Sequence, residues 1–443
     1  MTTSAPDAPA ATPAEPAALQ RLHPLTPVLR GAKFFLAVLA VLSYRELPQL
    51  GVGRALIGLL AVVVVAFVLS YASWRFTWYR IDGKELQFES GVLFRRSRRV
   101  PLERVQAIDI VRPLVGRILG LAELRLEVVG QGNTEAPLAY LTEDEAHRLR
   151  ARLLALAAGV HADTPEPDET VLARIPSRDL VISVLLLGQV VIGLPLLAVA
   201  AVGLLLIDIR AFLGSLPALA SFALGIGSVS VRRLLVEYGF TLAESPDGLR
   251  LRHGLLETRA QTVPPGRVQA IRLVQPVLWR RRDWVRVEVD VAGYAGGDEG
   301  QAVTGALLPV APRAIGVHLI QRVLSGVDVA AIARRPVPSR AAPLDPVQWQ
   351  QLAIGLTPQV LVVFSGRLRR VIDLVPLAKV QSLRLAQGPL QRRLGLASLH
   401  VDTAGRRLAT TAAHRDAAEA LDLFHEISEL ARAERELRRR VTR

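Results

Sequence analysis

The 443-residue chain contains no cysteine, and that one absence removes disulfides, thiolate metal sites and cysteine nucleophiles together. Methionine is confined to Met1. The H-E-x-x-H zinc motif, the G-x-x-x-x-G-K-[ST] phosphate loop and the G-x-S-x-G nucleophile elbow are all missing. The eight histidines, His23, His147, His161, His253, His318, His400, His414 and His425, are scattered rather than grouped at ligand spacing. His147 and His318 fall on expected helices, where a surface or packing role outweighs metal ligation. Residues Met1 to Leu19 are rich in Ala, Pro and Thr without a basic n-region, which reads as a disordered tail and not as a cleaved secretory signal. These absences predict a protein that is not an enzyme and holds no cofactor and no metal.

What is present is hydrophobic. Apolar residues make up 51% of the chain and mean hydropathy is +0.32, yet charged residues still supply 21%. Oily spans joined to polar domains satisfy both values. The formal charge of +14 fits either nucleic acid or an anionic lipid surface, and the positions of the arginines decide between them. A helix crossing the roughly 30 Å hydrocarbon layer needs about 20 largely uncharged residues. Four stretches qualify: about Gly31 to Leu50, Ala55 to Trp74, Leu180 to Ile207, and Ala211 to Val231. The first carries Lys33, Arg45 and Glu46 near its ends, where long side chains snorkel towards the interface. The last contains Pro217, which membrane helices tolerate. Only Asp208, Ile209 and Arg210 separate the last two stretches, which predicts a tight helical hairpin. Arg21 and Arg30, Arg75 and Arg80, and Arg232 and Arg233 flank the other ends, so the positive-inside rule places the N-terminus and all large segments in the cytoplasm. Trp74, Trp78 and Tyr79 follow the second span, where amphipathic rings favour the headgroup layer. Topology accounts for the basic excess, and no nucleic-acid partner is expected.

Self-comparison gives the strongest signal. RVPLERVQAIDIVRPLVGRILGLAELRLEV ends at Val128, TVPPGRVQAIRLVQPVLWRRRDWVRVEV at Val289, and LVPLAKVQSLRLAQGPLQRRLGLASLHV at Val401. The shared frame is V-P-x-x-[RK]-V-Q-x-[IL]-x-[ILV]. Pro101, Pro264 and Pro376 align, as do Gln106, Gln269 and Gln381. The prolines suit strand starts and edges, and the glutamines are expected to tie a side-chain amide to loop backbone. Alternation over Trp78 to Ile81, Glu85 to Phe88, Gln106 to Val111 and Ala122 to Val128 predicts strands. Each copy then closes on a helix: one capped by Thr142 with Asp144 and Glu145 in its first turn, one at about Ala311 to Leu324, and one from near Ala412.

With its three V-P-x-x-[RK]-V-Q strings, the R-x-L-G-L-A runs ending at Ala122 and Ala397, and span pairs running straight into a domain, the chain resembles the YdbT-like bacterial membrane proteins with pleckstrin-homology-like (PH-like) domains. The resemblance implies a membrane α plus β fold: four transmembrane helices in two hairpins, with three PH-like β-barrel domains each closed by a C-terminal helix. It also implies a bacterial cytoplasmic membrane location and a non-enzymatic role. The second copy departs from the pattern, with Arg282-Asp283-Trp284 where the others have Leu-Gly-Leu, which puts its turn geometry in question. The expected partition is a tail (1–24), a transmembrane hairpin (25–74), a first domain (75–160), a linker (161–179), a second hairpin (180–231), a second domain (232–330), a linker (331–344), a third domain (345–433) and a basic tail (434–443). The third domain, without its own hairpin, is expected to dock on the others.

Basic clusters are the candidate contacts for an anionic inner leaflet or a partner protein, membrane or cytosolic. They are Arg95, Arg96, Arg98 and Arg99 in the first copy, Arg250 and Arg252 with His253 and Arg259 in the second, and Arg367, Arg369 and Arg370 in the third. Guanidinium groups chelate phosphate oxygens bidentately, so a phosphoinositide-type pocket stands against a solvated strand face. Arg280, Arg281 and Arg282 lie between Trp279 and Trp284, as in an interfacial anchor or an inter-domain contact. The spans hold almost no ionisable groups, which disfavours a transporter or channel accessory subunit, the alternative function. Gln189 is their main polar residue, expected to make an interhelical hydrogen bond. The preferred function is a membrane-anchored, non-catalytic scaffold, because linked weak sites gain avidity without new chemistry.

Overall fold

In the computed structural model, structure is described for residues 20–21, for scattered positions between 57 and 76, and for 78–82, 85–90, 96–101, 105–128, 138–157, 169–246, 248–292, 305–324, 327–405 and 407–441. The expected first span and Arg95 lie outside the described residues. The chain divides into two compact units, Met1–Glu166 and Pro167–Arg443.

In the first unit the described positions between 57 and 75 are helical, and their apolar side chains, Ile57, Leu60 and Phe67 among them, are exposed. Strands β1 (Gln20–Arg21), β2 (Trp78–Asp82), β3 (Glu85–Ser90) and β4 (Arg96–Pro101) form an antiparallel sheet in chain order. β5 (Val105–Pro113), a one-turn helix α1 (Leu114–Ile118), β6 (Leu121–Val128), β7 (Leu138–Thr142) and helix α2 (Glu143–Ala157) follow. β5 pairs β6 and β6 pairs β7, all antiparallel. The α2 stripe Ala146, Leu149 and Leu153 is buried, as are Ile108, Ile110, Leu124 and Leu126. Thr142 and Glu145 form a reciprocal capping box, with Glu145 N donating to Thr142 Oγ1 at 3.3 Å and Thr142 N to Glu145 Oε2 at 3.1 Å. Such a cap stabilises a helix start by about 1 kcal/mol.

The second unit begins with β8 (Thr170–Arg174) and the helices α3 (Ser177–Leu185), α4 (Gly188–Val191), α5 (Gly193–Ile207) and α6 (Ile209–Glu237). The apolar run expected as one span from Leu180 to Ile207 is broken. Leu180, Ser183 and Val184 of α3 are buried, and the indole N–H of Trp279 donates to the Ser183 carbonyl at 3.1 Å, so the first two turns belong to the domain core. Among the described residues, Gly188–Ile207 and Ile209–Glu237 are long and apolar enough to cross a membrane, with mean hydropathy 2.9 and 1.6. Asp208 caps the second of them, its carboxylate accepting from Arg210 N at 2.9 Å. Inside α6 the hydroxyls of Ser215, Ser221, Ser228 and Ser230 donate to carbonyls three or four residues back, which removes polar cost on an apolar helix.

β9 (Thr241–Ser245), β10 (Gly248–His253) and β11 (Glu257–Val263) follow, pairing antiparallel in succession from β8. β12 (Val268–Pro276), β13 (Trp284–Val291), β14 (Ala306–Pro312) and helix α7 (Arg313–Val323) complete the second copy. The third copy comprises β15 (Arg335–Pro336), β16 (Ala353–Leu356), β17 (Val360–Ser365), β18 (Arg369–Pro376), β19 (Val380–Ala386), α8 (Pro389–Arg393), β20 (Leu396–Thr403), β21 (Thr410–Asp416) and α9 (Ala417–Val441). Its first strand precedes Asp345. Its closing helix starts at Ala417, not near Ala412, because Thr410–Asp416 extends as a strand, and it continues through most of the expected basic tail.

Barrels closing separately on each copy are not what the second unit forms. β12 of the second copy pairs with β18 of the third, giving one seven-stranded sheet in the order β14-β13-β12-β18-β17-β16-β15. β19, β20 and β21 make a separate three-stranded sheet.

The repeat is nonetheless legible in backbone detail. Gly120 (φ 67°), Asp283 (φ 49°) and Gly395 (φ 62°) adopt the same left-handed conformation, which Asp tolerates better than most residues. The carbonyl of each accepts the first N–H of its closing helix: Glu143 N to Gly120 O at 3.1 Å, Arg313 N to Asp283 O at 2.8 Å, and Ala417 N to Gly395 O at 3.0 Å. The departure at Asp283 thus leaves the turn unchanged. A register shift follows the first residue of β5, β12 and β19, so Gln106, Gln269 and Gln381 are the extra residues of three equivalent β-bulges. Pro101 and Pro376 end their strands and Pro264 follows directly on β11, so the repeated prolines stand at strand ends.

Candidate functional site

The charged foot of α6 joins an apolar helix to a folded domain, and this junction is the most strongly built polar site. Glu237, in the last turn, is 2% exposed. Arg233 Nε lies 2.9 Å from one of its oxygens and Arg286 Nη1 2.7 Å from the other. Arg286 Nε reaches Glu288 at 2.8 Å, and Arg233 donates to the Pro309 carbonyl at 3.1 Å while lying over the Trp279 ring. A buried carboxylate without partners would cost several kcal/mol, so two guanidinium groups here fix the helix foot to β13 and the strand that follows it. The last helical carbonyls, which a helix leaves unsatisfied, are taken up by the β10–β11 turn. Leu255 N donates to Leu235 O and Gly254 N to Tyr238 O, both at 2.8 Å, and His253 Nδ1 lies 2.8 Å from Val236 O. His253 is buried and stacked on Phe240, and burial holds its pKa below the ordinary histidine value.

Beside this foot opens a cavity of about 970 Å³, whose lining includes Arg232, Arg259, Arg272 and Arg407 together with Val229 and Leu256. It is amphipathic rather than purely cationic. Arg259 pairs with Glu257 at 3.0 Å, Arg272 with Asp373, and Arg286 with two glutamates. Among the described residues no group of three or more His, Asp or Glu is placed to hold a metal ion.

The seam between the second and third copies forms the cavity's other boundary. Arg272 and Asp373 are direct cross-strand partners, joined Nε to Oδ1 at 2.5 Å and Nη2 to Oδ2 at 2.9 Å, and Arg272 also donates to the Ala409 carbonyl at 3.0 Å. Burial raises the Asp373 pKa, and the hydrogen bond from Arg272 opposes that rise. Asp290 accepts the backbone N–H groups of Arg407 and Leu408, each at 2.9 Å, which latches the β20–β21 loop of one copy onto the other. Lys379 Nζ donates to the Gly266 carbonyl at 2.5 Å.

The sequence-predicted cations do not converge on one anion pocket. Arg96, Arg98 and Arg99 lie on β4, with Arg99 exposed. Arg250 is buried against Glu169, and Arg252 shares the same carboxylate at 2.8 Å. Arg280 donates to the carbonyls of Arg367 and Leu368, an inter-copy contact, while Arg281 is exposed and Arg282 lies 5.0 Å over the Trp284 ring. Trp279 and Trp284 are core residues meeting edge to face, 1% and 7% exposed. Arg367, Arg369 and Arg370 are exposed around the turn at Gly366 and the start of β18. Gln269 donates to the Arg267 carbonyl at 3.0 Å, whereas Gln381 is exposed and the Gln106 side chain lies outside the described residues. Gln189 is exposed on α4, beside a cavity of about 580 Å³ lined by Gly193, Phe222 and Ile226, and its backbone carbonyl accepts from the N–H of Ile192. Sequence reasoning missed Glu237, Arg286 and the Arg272–Asp373 pair. For Arg286, Arg272 and Asp373 the signal was a charge inside an apolar strand, as in VQAIRLVQP and RRVIDLVP, where only a partner makes burial tolerable.

The profile of the family described as Bacterial PH domain matches residues 32–157, 181–314 and 319–431, one match for each copy of the repeat. A relative named UPF0699 transmembrane protein YdbT, from Bacillus subtilis (strain 168), is 23% identical over 301 residues. The aligned region is 61% of this chain and 60% of that protein, so it spans less than two thirds of the relative's length.

Proposed function

The chain belongs to the bacterial PH-domain family and is a membrane-associated binding protein, and from that premise we propose a multi-pass, non-catalytic scaffold that holds three PH-like domains on the cytosolic side for protein partners, with the anionic leaflet as auxiliary contact. One observation carries this reading: α6 runs unbroken from its apolar turns into the buried Arg233–Glu237–Arg286 network, so the domain is rigidly coupled to a membrane-length helix. A rigid coupling holds a binding surface at a set height above the bilayer. A role in protein binding is favoured over a dedicated headgroup pocket because Arg250, Arg252, Arg272 and Arg280 are spent on carboxylates and carbonyls within the fold. Exposed cations such as Arg281 and Arg407 would gain about 1 kcal/mol each where they meet an anionic leaflet. The cavity beside Gln189 lacks ionisable lining, so it gives the transporter alternative no support among the described residues.

The test uses the full chain in its native membrane. A scaffold resists alkaline carbonate, and in mild detergent it migrates in a complex larger than its own micelle. A single cysteine at exposed Ala404, in this otherwise cysteine-free chain, stays unlabelled by impermeant maleimide in intact cells. Carbonate release, migration alone under every extraction condition, or external labelling rejects the reading.

A further inference from the structure

β12 and β19 occupy the same place in the repeat, beginning at Val268-Gln269 and Val380-Gln381, and both carry the bulge after their first residue. On one side each pairs with the strand that follows it. On the other side β12 is hydrogen-bonded to β18, whereas β19 ends its three-stranded sheet with no strand beyond it among the described residues. Burial follows the partner. Val268–Pro276 is buried or half-buried throughout, while Gln381, Ser382, Arg384, Leu385 and Ala386 are exposed. Folded proteins guard such edges with charged side chains, proline, bulges or short strands. β19 is seven residues long without proline or lysine; its opening bulge and Arg435, which donates to the Val380 carbonyl, protect only its first residues, and beyond them Arg384 and Leu385, 38% exposed, stand open.

The covered twin shows what chemistry fits the open one. β18 meets β12 antiparallel, with Asp373 set between Ile372 and Leu374 and clasped by Arg272. Arg384 is the β19 residue that aligns with Arg272. With no carboxylate across from it, Arg384 turns back to Asp402 of its own sheet, and its side chain is 67% exposed against 21% for Arg272. A second copy of this chain is a poor match. Its β18 is already engaged, and with the V-P pairs aligned the corresponding strands β11 and β4 offer Gln261 and Arg98 at the position of Asp373. Neither supplies the carboxylate, and an arginine opposite an arginine is destabilising.

We propose that β19 is a docking edge for an extended strand of a different protein, added antiparallel, with an acidic residue between apolar neighbours placed opposite Arg384. Main-chain hydrogen bonds supply the affinity and Arg384 sets the register. The proposal rests on the scaffold reading and specifies the partner's chemistry.

The probe is a labelled peptide with the β18 sequence, Arg369 to Pro376, titrated against the full chain in zwitterionic nanodiscs and followed by fluorescence anisotropy. Saturable binding is expected, with at least a tenfold loss for Arg384→Asp and recovery when that variant meets a peptide carrying lysine in place of its aspartate. N-methylation along the peptide's bonding edge abolishes binding without touching the protein's own fold. No saturable binding, equal binding of a scrambled peptide, or indifference to Arg384→Asp overturns the docking edge. Carbonate resistance and complex size do not depend on this peptide, so the scaffold reading stands or falls separately.

Discussion

Arg272 on β12 and Asp373 on β18 face each other in register across the boundary between two copies of the repeat, and their two hydrogen bonds are the charged core of one continuous sheet. A boundary between domains is usually polar and yielding. Here the backbone ladder crosses it, so the two copies share strands and a core. Val360, Phe364 and Leu374 of the third copy belong to the hydrophobic cluster of the second.

Truncating Asp373 leaves the Arg272 charge half-buried, and truncating Arg272 leaves the Asp373 charge buried. Asp373→Ala is expected to destabilise the protein by roughly 2–4 kcal/mol, somewhat below a fully buried pair because the Arg272 side chain is 21% exposed. The double variant with Arg272→Ala should recover part of that loss, giving a coupling of about 1–3 kcal/mol. Denaturant unfolding in micelles measures it, and strictly additive losses would show that the pair is ornamental.

His253 gives the stability a pH dependence of definite sign. Burial lowers its folded-state pKa, so the unfolded chain binds the proton more readily. Its contribution is fully present above the unfolded value of about 6.5 and is lost as pH falls below that towards the folded pKa. The melting temperature should therefore drop between pH 7.5 and 5.5, and His253→Gln should flatten that part of the profile. An unchanged slope in the variant would assign the acid sensitivity to other groups.

The turn at Asp283 can be tested by shape alone. At φ 49° a β-branched side chain is strained, whereas glycine is not. Asp283→Val should cost about 2 kcal/mol, and Asp283→Gly should stay within roughly 1 kcal/mol of the parent, as expected from the strain of left-handed backbone. Melting temperatures order the two. If both variants fell equally, the Asp283 carboxylate rather than its backbone would be what the turn requires.

Much of this was legible from residues alone. The V-Q frame gave away the repeat and Thr142 its helix cap, whereas the bulge at each glutamine came from the structure, and an amide tie to backbone is seen at Gln269. The seam was not legible, because a period of two reports which face of a strand is buried and says nothing about which strand lies alongside. Its trace was the weak alternation of Val268–Pro276, covered on both sides, against the open β19. Hydropathy likewise misplaced Leu180 to Leu185, since a lipid tail and the core around Trp279 are equally apolar neighbours. Side-chain pairing decided the fate of the basic clusters, and Glu169, which takes both Arg250 and Arg252, lies 81 and 83 residues upstream of them.

The membrane helix itself makes the last prediction. Val199 lies midway along Gly188–Ile207 and is 68% exposed. On a water-facing helix Val199→Arg would be harmless, since surface substitutions usually change stability by less than about 0.5 kcal/mol. In a bilayer the same arginine costs about 2.5–3.5 kcal/mol at the helix centre on insertion scales. The variant should therefore insert poorly, with a larger carbonate-soluble or degraded fraction than the parent. An arginine at Arg210, already present beyond the helix end, supplies the internal control: exchanging it for lysine should leave insertion unchanged. Normal insertion of Val199→Arg would place this helix against protein or water, and the α6 junction would then need another explanation than membrane anchoring.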